Sequence, residues 1–328
     1  MSFTSTATLM PKSLLEYAAW LANRDLIWPK PPKIEPVKAK PFIKPLPGIR
    51  AVTWSIYGTL LRISGGVLEF DSTEGIQIQI ALEKTIDEFN MWNSMTRKPG
   101  APWETMLPKY RRFLEERRMV GTERKGDVPE VDSAEVWLRV ISGLLQKEYD
   151  YDQLLYGDLD DLAEKIALFF HANLQGVEAS PHALQAVQSV SQAGIAQGVL
   201  ADGQWFTLAQ MLQALGAQGT LPPLWDLFDS ECMTLSCEEG VRKPSKTLYE
   251  TSLKRFAGKG IPPGAILHVG TRLKDDLAIA KEFGMRTALY TGDRLMLKAE
   301  PVDLKNPDIK PDRLLTDLDQ IRDVLGIV

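Results

Sequence analysis

Apolar residues fall at helical spacing over residues 12–26, KSLLEYAAWLANRDL, which predicts an amphipathic helix. The next stretch, WPKPPKIEPVKAKPFIKPLPG, is dense in proline and lysine. Proline interrupts helices and removes a donor from sheets, so this stretch is an extended connector. Its Trp28, Phe42 and Ile43 suggest an arm that covers a hydrophobic patch on the body of the protein; a dimerisation arm is the alternative. Residues 50–56, RAVTWSI, read as a buried strand that runs into a Gly-Thr turn. Over 73–176 the period becomes helical in four segments: IQIALEKTIDEFNMW, PWETMLPKYRRFLEERRM, SAEVWLRVISGLLQKEY and LDDLAEKIALFFHANL. The segment GTERKGDVPEVD reads as a loop between two of them. Four such helices in one block predict a small bundle.

From residue 177 onward, strand-like and helix-like segments alternate. SPHALQAVQSVSQAG, TLAQMLQALGA, SKTLYETSLKRFAG and DDLAIAKEFG read as helices. IAQGVLAD, LWDLFDS, ECMTLS, AILHVG and RTALYTG read as strands. Such alternation predicts a parallel sheet with helices on both faces. The early strand at 50–56 must join that sheet across the helical block, which makes the block an insertion. The expected organisation is an arm over 1–48, an α/β core over 49–72 and 177–328, and a helical cap over 73–176.

Composition narrows the function classes without choosing one. The chain has 328 residues, 44% hydrophobic and 25% charged, as expected of a globular protein larger than one ordinary domain. A net charge of -5 gives no electrostatic case for nucleic acid or an anionic membrane. No apolar run reaches the length of a membrane span. The first twenty residues lack the basic region, apolar stretch and cleavage site of a signal peptide. Cys232 and Cys237 cannot build a disulfide framework and are expected as reduced thiols in a cytoplasmic protein.

The informative motifs sit at the ends of the expected strands. They are Trp54-Ser55-Ile56-Tyr57-Gly58-Thr59-Leu60, then Val199-Leu200-Ala201-Asp202-Gly203, then Ser236-Cys237-Glu238-Glu239-Gly240-Val241-Arg242-Lys243-Pro244, then Leu267-His268-Val269-Gly270-Thr271-Arg272-Leu273-Lys274-Asp275-Asp276. In this order they resemble the four motifs of the haloacid dehalogenase-like (HAD) hydrolases. The resemblance covers roughly residues 49–328. It implies an α/β fold: a HAD-like doubly wound parallel sheet core with an inserted α-helical cap of the C1 type. Ligands of doubly wound sheets bind at the carboxyl ends of the strands, where all four motifs would converge.

In family phosphatases the first aspartate attacks phosphorus and a second, two residues later, protonates the leaving group. A hydroxyl of the second motif and the lysine of the third hold the phosphoryl oxygens. Carboxylates of the fourth motif, with the nucleophile, hold Mg²⁺. Here Ser55 stands at the nucleophile position, Tyr57 at the acid, Ala201 at the hydroxyl and Thr271 at a metal carboxylate. Thr59, Lys243 and Asp276 are retained, with Gly58, Gly240 and Gly270. The resemblance therefore carries over Ser55, Tyr57 and Lys243 as catalytic positions, and Thr59, Ala201, Asp202 and Lys243 as the anion-binding set. Asp276 and Asp275 remain as weak metal ligands, so no tightly held cofactor is expected.

A serine hydroxyl needs an adjacent base. Lys243 or Asp202 could serve only with the right geometry, and His268, flanked by apolar residues, reads as structural. Lys243 could equally form a buried ion pair with Asp276 or Asp275. The leading expectation is a pseudoenzyme that binds a small anion or a protein partner through the cap-core cleft. The alternative is a divergent phosphatase-like hydrolase with a rewired site.

Overall fold

The computed structural model describes residues 11–72, 75–95 and 99–327. They group into two compact units: Met1–Trp28, Phe70–Arg117 and Ser133–Leu174 in one, and Pro29–Glu69, Arg118–Asp132 and Gln175–Val328 in the other. Among the described residues, no helix is long and apolar enough to cross a membrane.

The first unit is helical. It contains α1 (Leu14–Ala22), α2 (Gly75–Glu88), α3 (Pro102–Arg118), α4 (Ser133–Leu145), α5 (Gln153–Tyr156) and α6 (Leu159–Leu174). Helix α1 starts on a capping box in which the Ser13 side chain accepts from Glu16 N and the Glu16 carboxylate accepts from Ser13 N. Its apolar face buries Tyr17, Ala18 and Leu21, and Tyr17 meets Tyr156 edge-on at 6.0 Å. The bundle interior is aromatic: Trp137 lies 5.4 Å from Tyr110 and 5.2 Å from Phe170, ring centre to ring centre. Helices α2, α3, α4 and α6 fall in the four segments of 73–176 where the 3.6-residue period predicts them.

The second unit carries β1 (Ala51–Trp54), β2 (Leu61–Ile63), β3 (Val128–Pro129), β4 (Val177–Ala179), β5 (Ala196–Ala201), β6 (Met233–Leu235), β7 (Val241–Arg242), β8 (Ile266–Gly270), β9 (Arg286–Tyr290) and β10 (Arg313–Leu315). Its helices are α7 (Ala183–Gln192), α8 (Thr207–Gly216), α9 (Leu224–Leu227), α10 (Ser236–Glu239), α11 (Lys246–Gly258), α12 (Ala278–Glu282) and α13 (Ile321–Leu325). Six strands form one parallel sheet in the order β10-β9-β8-β1-β5-β6. Every residue of β1 is buried, as a strand covered on both faces requires. The buried Trp54 donates its indole N–H to Gln197 at 2.9 Å, and Gln197 in turn donates to the carbonyls of Val187 and Leu227. The two cysteines are free thiols.

Three local features differ from the sequence expectation. Residues 224–227, read as the start of a strand, form the one-turn helix α9 after Pro222 and Pro223, so only Met233–Leu235 enters the sheet. Leu224 and Leu227 are three apart, a spacing that serves a helical turn as well as a short strand. Strand β10 has only three residues and no periodic signal. The segment 121–132, read as a plain loop, pairs β3 with β7 and belongs to the sheet-bearing unit.

The Pro-rich arm is pinned to this same unit. Phe42 and Leu314 exchange backbone hydrogen bonds of 2.9 and 3.1 Å, so the arm covers the exposed edge of β10. Arg313 donates to the carbonyls of Lys44 and Pro45 and stacks over the Phe42 ring at 5.1 Å. Further along, Arg294 N donates to Glu35 O at 2.7 Å.

Candidate functional site

The chain crosses over in opposite directions from β1, whose two neighbours are β5 and β8. A crevice at the carboxyl ends of such strands is where ligands of doubly wound sheets bind. Trp54 is in register with Val199 on one side and Val269 on the other. Ser55, the next residue, therefore lies between the ends of β5 and β8, its N–H bonded to Val269 O at 2.9 Å. It is 6% exposed, and among the described residues no side chain hydrogen-bonds its hydroxyl.

Ser55 is followed by a turn that only glycine fits. Gly58 has φ +83°, and a Cβ there would lie 2.9 Å from Thr271 Oγ1 and 3.0 Å from Gly66 O. Thr271, at the position of a family metal carboxylate, is thus packed against the turn. Thr59 is fully buried and its hydroxyl has no partner among the described residues. Tyr57 turns into the core, where its hydroxyl donates to Gln210 Oε1 at 2.6 Å and lies 3.1 Å from Thr207. Burial pushes that phenol well above its ordinary range, although the Thr207 hydrogen bond opposes the shift.

Lys243 and Asp276 meet. Lys243 Nζ lies 2.6 Å from Asp276 Oδ1, and both side chains are wholly buried. The same oxygen accepts from His268 Nε2 at 2.8 Å and from the Tyr249 hydroxyl at 2.9 Å. Behind it, His268 Nδ1 is 2.8 Å from Thr53 Oγ1, its register partner on β1. Burial lowers the His268 pKa, which leaves the ring neutral, with Nε2–H donating to Asp276 and Nδ1 accepting from Thr53. Burial alone would raise Asp276, but His268, Lys243 and Arg272 together hold it well below the usual carboxylate range. Asp275, next in sequence, is exposed and outside this cluster.

Asp202 makes the second ion pair. Its carboxylate accepts from Arg272 at 2.6 Å and from the Lys243 backbone N–H at 2.7 Å. Asp202 follows β5 and Arg272 lies two residues beyond β8, so the pair bridges the strands that flank β1. The ion pair thus spans the carboxyl end of β1, where Ser55 sits. Ala201 beside it is fully buried and brings no polar side-chain atom.

Glu130 reaches the same edge from the 121–132 segment. It accepts from the Ser236 hydroxyl, which itself accepts from Gly203 N at 2.8 Å. Burial pushes its carboxyl up to about 7, against the opposing effect of the Ser236 hydrogen bond. The segment is held by Val128 N to Ser245 Oγ at 2.7 Å, by Gln204 to Val131 O at 2.8 Å, and by the Trp205 indole to Asp132 at 2.8 Å.

The residues do not fit a magnesium ion. Mg²⁺ requires near-octahedral oxygen coordination with carboxylate charge. The family position offers one carboxylate: its Oδ1 is engaged by an ammonium, an imidazole and a phenol, and its Oδ2, buried without a partner among the described residues, is a single oxygen where several are needed. Among the described residues, no three His, Cys, Asp or Glu side chains are grouped as metal ligands.

The structure therefore brings Ser55, Asp202, Lys243 and Asp276 to one edge and ties the Tyr57 hydroxyl to Thr207 and Gln210. Arg272, Tyr249, Glu130 and Ser236 are members that the motif reading passed over, and His268, read as structural, belongs to the buried cluster. Arg272 carried one signal, a cation two residues beyond a buried strand. Tyr249 comes from α11 and Glu130 from a distant loop, so nothing local marks them.

The sequence model of the HAD-hydrolase-like family matches residues 240–321. No curated protein matches the chain. Among solved structures, the 2-haloacid dehalogenase of Pseudomonas syringae pv. Tomato DC3000 superposes with a TM-score of 0.51 at 21% identity, covering 85% of this chain and 98% of that one. The L-2-haloacid dehalogenase of Xanthobacter autotrophicus gives 0.42 at 19% identity, covering 85% and 100%. CbbY of Rhodobacter sphaeroides gives 0.42 at 16%, covering 83% and 96%. The family model covers the carboxyl-terminal segment alone, and the first of these superpositions shows that the chain shares the fold of that dehalogenase.

Proposed function

We propose that this chain is a HAD-fold pseudoenzyme that binds a small anion at the carboxyl edge of its sheet and does not hydrolyse it. The observation that carries the reading is the Asp202–Arg272 ion pair across the end of β1. An internal carboxylate there engages the guanidinium that an incoming carboxylate or phosphate would seek. Binding would be an exchange: the ligand replaces Asp202 on Arg272, a planar donor suited to two-point recognition of such anions. Lys243 is not the ligand's contact, because its ammonium is buried on Asp276.

The absence of turnover follows from the same groups. An activated serine needs a base within hydrogen-bond reach. Lys243 would have to leave Asp276, abandoning a buried carboxylate, before it could take a proton from Ser55. That step is the obstacle facing the alternative, a rewired hydrolase.

Titration calorimetry with orthophosphate tests the exchange. Asp202→Asn removes the internal competitor and should tighten phosphate binding about tenfold, the effect of one charge-assisted hydrogen bond. Arg272→Met should abolish binding. An affinity unchanged by Asp202→Asn contradicts the exchange.

A further inference from the structure

At rest the sheet edge balances its charges in pairs: Arg272 with Asp202, and Lys243 with Asp276. An incoming anion that takes Arg272 leaves Asp202 without that partner. The edge then holds one negative charge more than before, in surroundings where an uncompensated charge is costly. A proton delivered to a nearby carboxylate removes the excess.

Glu130 is placed to take that proton. Among the described residues its carboxylate has no ion pair, and both its hydrogen bonds come from neutral donors, the Ser236 hydroxyl on Oε2 and Val131 N–H on Oε1 at 2.9 Å. The same hydroxyl accepts from Gly203 N at 2.8 Å, and Gly203 directly follows Asp202, so one hydroxyl joins Glu130 to the residue beside the exchanging carboxylate. Ser236 suits either state of Glu130. It donates to the carboxylate, or it accepts from the carboxylic acid and turns its own proton to Gly203 O, 3.2 Å away.

The other groups facing Glu130 leave this proton to it. Arg242, on the strand paired with β3, favours the carboxylate, and Asp202 disfavours it. Cys237, beside Ser236, is kept as the thiol by burial and by the charges of Asp132, Glu238 and Glu130. Asp276 is held ionised by its cations. Burial outweighs Arg242, so Glu130 exchanges its proton near neutrality.

We infer, resting on the exchange at Arg272 proposed above, that binding of the anion draws a proton from solution onto Glu130, so that the site holds its anion more tightly in acid than in alkali. An added negative charge raises a neighbouring carboxyl, so Glu130 titrates higher in the complex than in the free protein. Affinity is therefore constant in acid, falls as pH rises through the free protein's value of about 7, and levels off above the value in the complex.

Sulfate is the probe, because its charge does not change over this range. Titration calorimetry at about pH 7.5, in buffers of different ionisation heat, counts the protons taken up. The expected result is uptake of a fraction of a proton, with affinity falling about threefold to tenfold between about pH 6 and 9, as for a shift of up to one unit. Glu130→Gln keeps an acceptor for Ser236 but cannot titrate, so it should abolish both the uptake and the pH slope. If that variant does not fold, Asp202→Asn decides: it removes a charge that raises Glu130, so the fall should move to lower pH. Sulfate binding without proton uptake, uptake that survives Glu130→Gln, or a fall unmoved by Asp202→Asn overturns the proton linkage and leaves the anion reading standing. No sulfate binding at any pH overturns both.

Discussion

The Lys243 ammonium sits 2.6 Å from Asp276 Oδ1 with both side chains at zero exposure, so the retained cation and the retained carboxylate of the family motifs are bound to each other. A buried pair of this kind is weak evidence for net stabilisation, but removing one partner leaves an uncompensated charge in the interior. Asp276→Leu and Lys243→Met should each destabilise the fold by about 3–5 kcal/mol in chemical denaturation. The Lys243→Met/Asp276→Leu double variant should recover part of that loss. Equal or additive losses in the double variant would contradict a coupled pair.

Much of this arrangement was legible in the sequence. The segment 50–56 read as a buried strand, and the resemblance of four motifs at the ends of expected strands implied that Ser55, Asp202, Lys243 and Asp276 share one sheet edge. A buried pair of Lys243 with Asp276 or Asp275 was one of the sequence alternatives; only burial, with Asp275 exposed and Asp276 buried, decides between the two carboxylates. The Thr53–His268–Asp276–Tyr249 chain was not legible, because it depends on strand register and on a side chain from α11. The helix at 224–227 was misread because a single apolar turn carries no period. Glu130 was invisible because a Gly- and Pro-rich loop gives no sign of where it docks.

Glu130 makes stability depend on pH. Its carboxyl titrates near 4.5 in the unfolded chain and at about 7 in the folded one. The folded protein therefore holds the proton between those values, and the unfolded chain does not. The contribution is fully present below about pH 4.5 and is lost as pH rises through 7. The loss is on the order of 3 kcal/mol for a shift of this size in a mostly buried group. Glu130→Gln should flatten the denaturation free energy between about pH 4.5 and 7, the window in which the folded protein holds the proton and the unfolded chain does not. A wild type whose stability is constant over that window would contradict this.

The arm protects a sheet edge. Phe42→Pro removes the N–H that bonds Leu314 O. Amide exchange at Leu314 and its neighbours in β10 should then accelerate, and the freed edge should raise the tendency to self-associate on light scattering. Unchanged protection at Leu314 would show that the arm does not hold that edge.

Gly58→Ala should destabilise the chain by about 2–4 kcal/mol, because φ is +83° and the new Cβ meets Thr271 Oγ1 and Gly66 O. Adding Thr271→Ala should restore only part of the loss, since the backbone oxygen and the positive φ remain. Thermal unfolding of the three variants separates the two causes; full restoration would assign the whole effect to Thr271.

The most direct test of the central claim is turnover by the wild-type chain beside Ser55→Ala, on p-nitrophenyl phosphate with Mg²⁺ and on 2-chloropropionate. Loss of a nucleophile typically lowers the rate by about 10⁴- to 10⁶-fold. With no base on Ser55 and Lys243 engaged by Asp276, the two proteins should be indistinguishable and no faster than the uncatalysed reaction. Hydrolysis by the wild type that disappears in Ser55→Ala would contradict the account and make the chain a serine-dependent hydrolase.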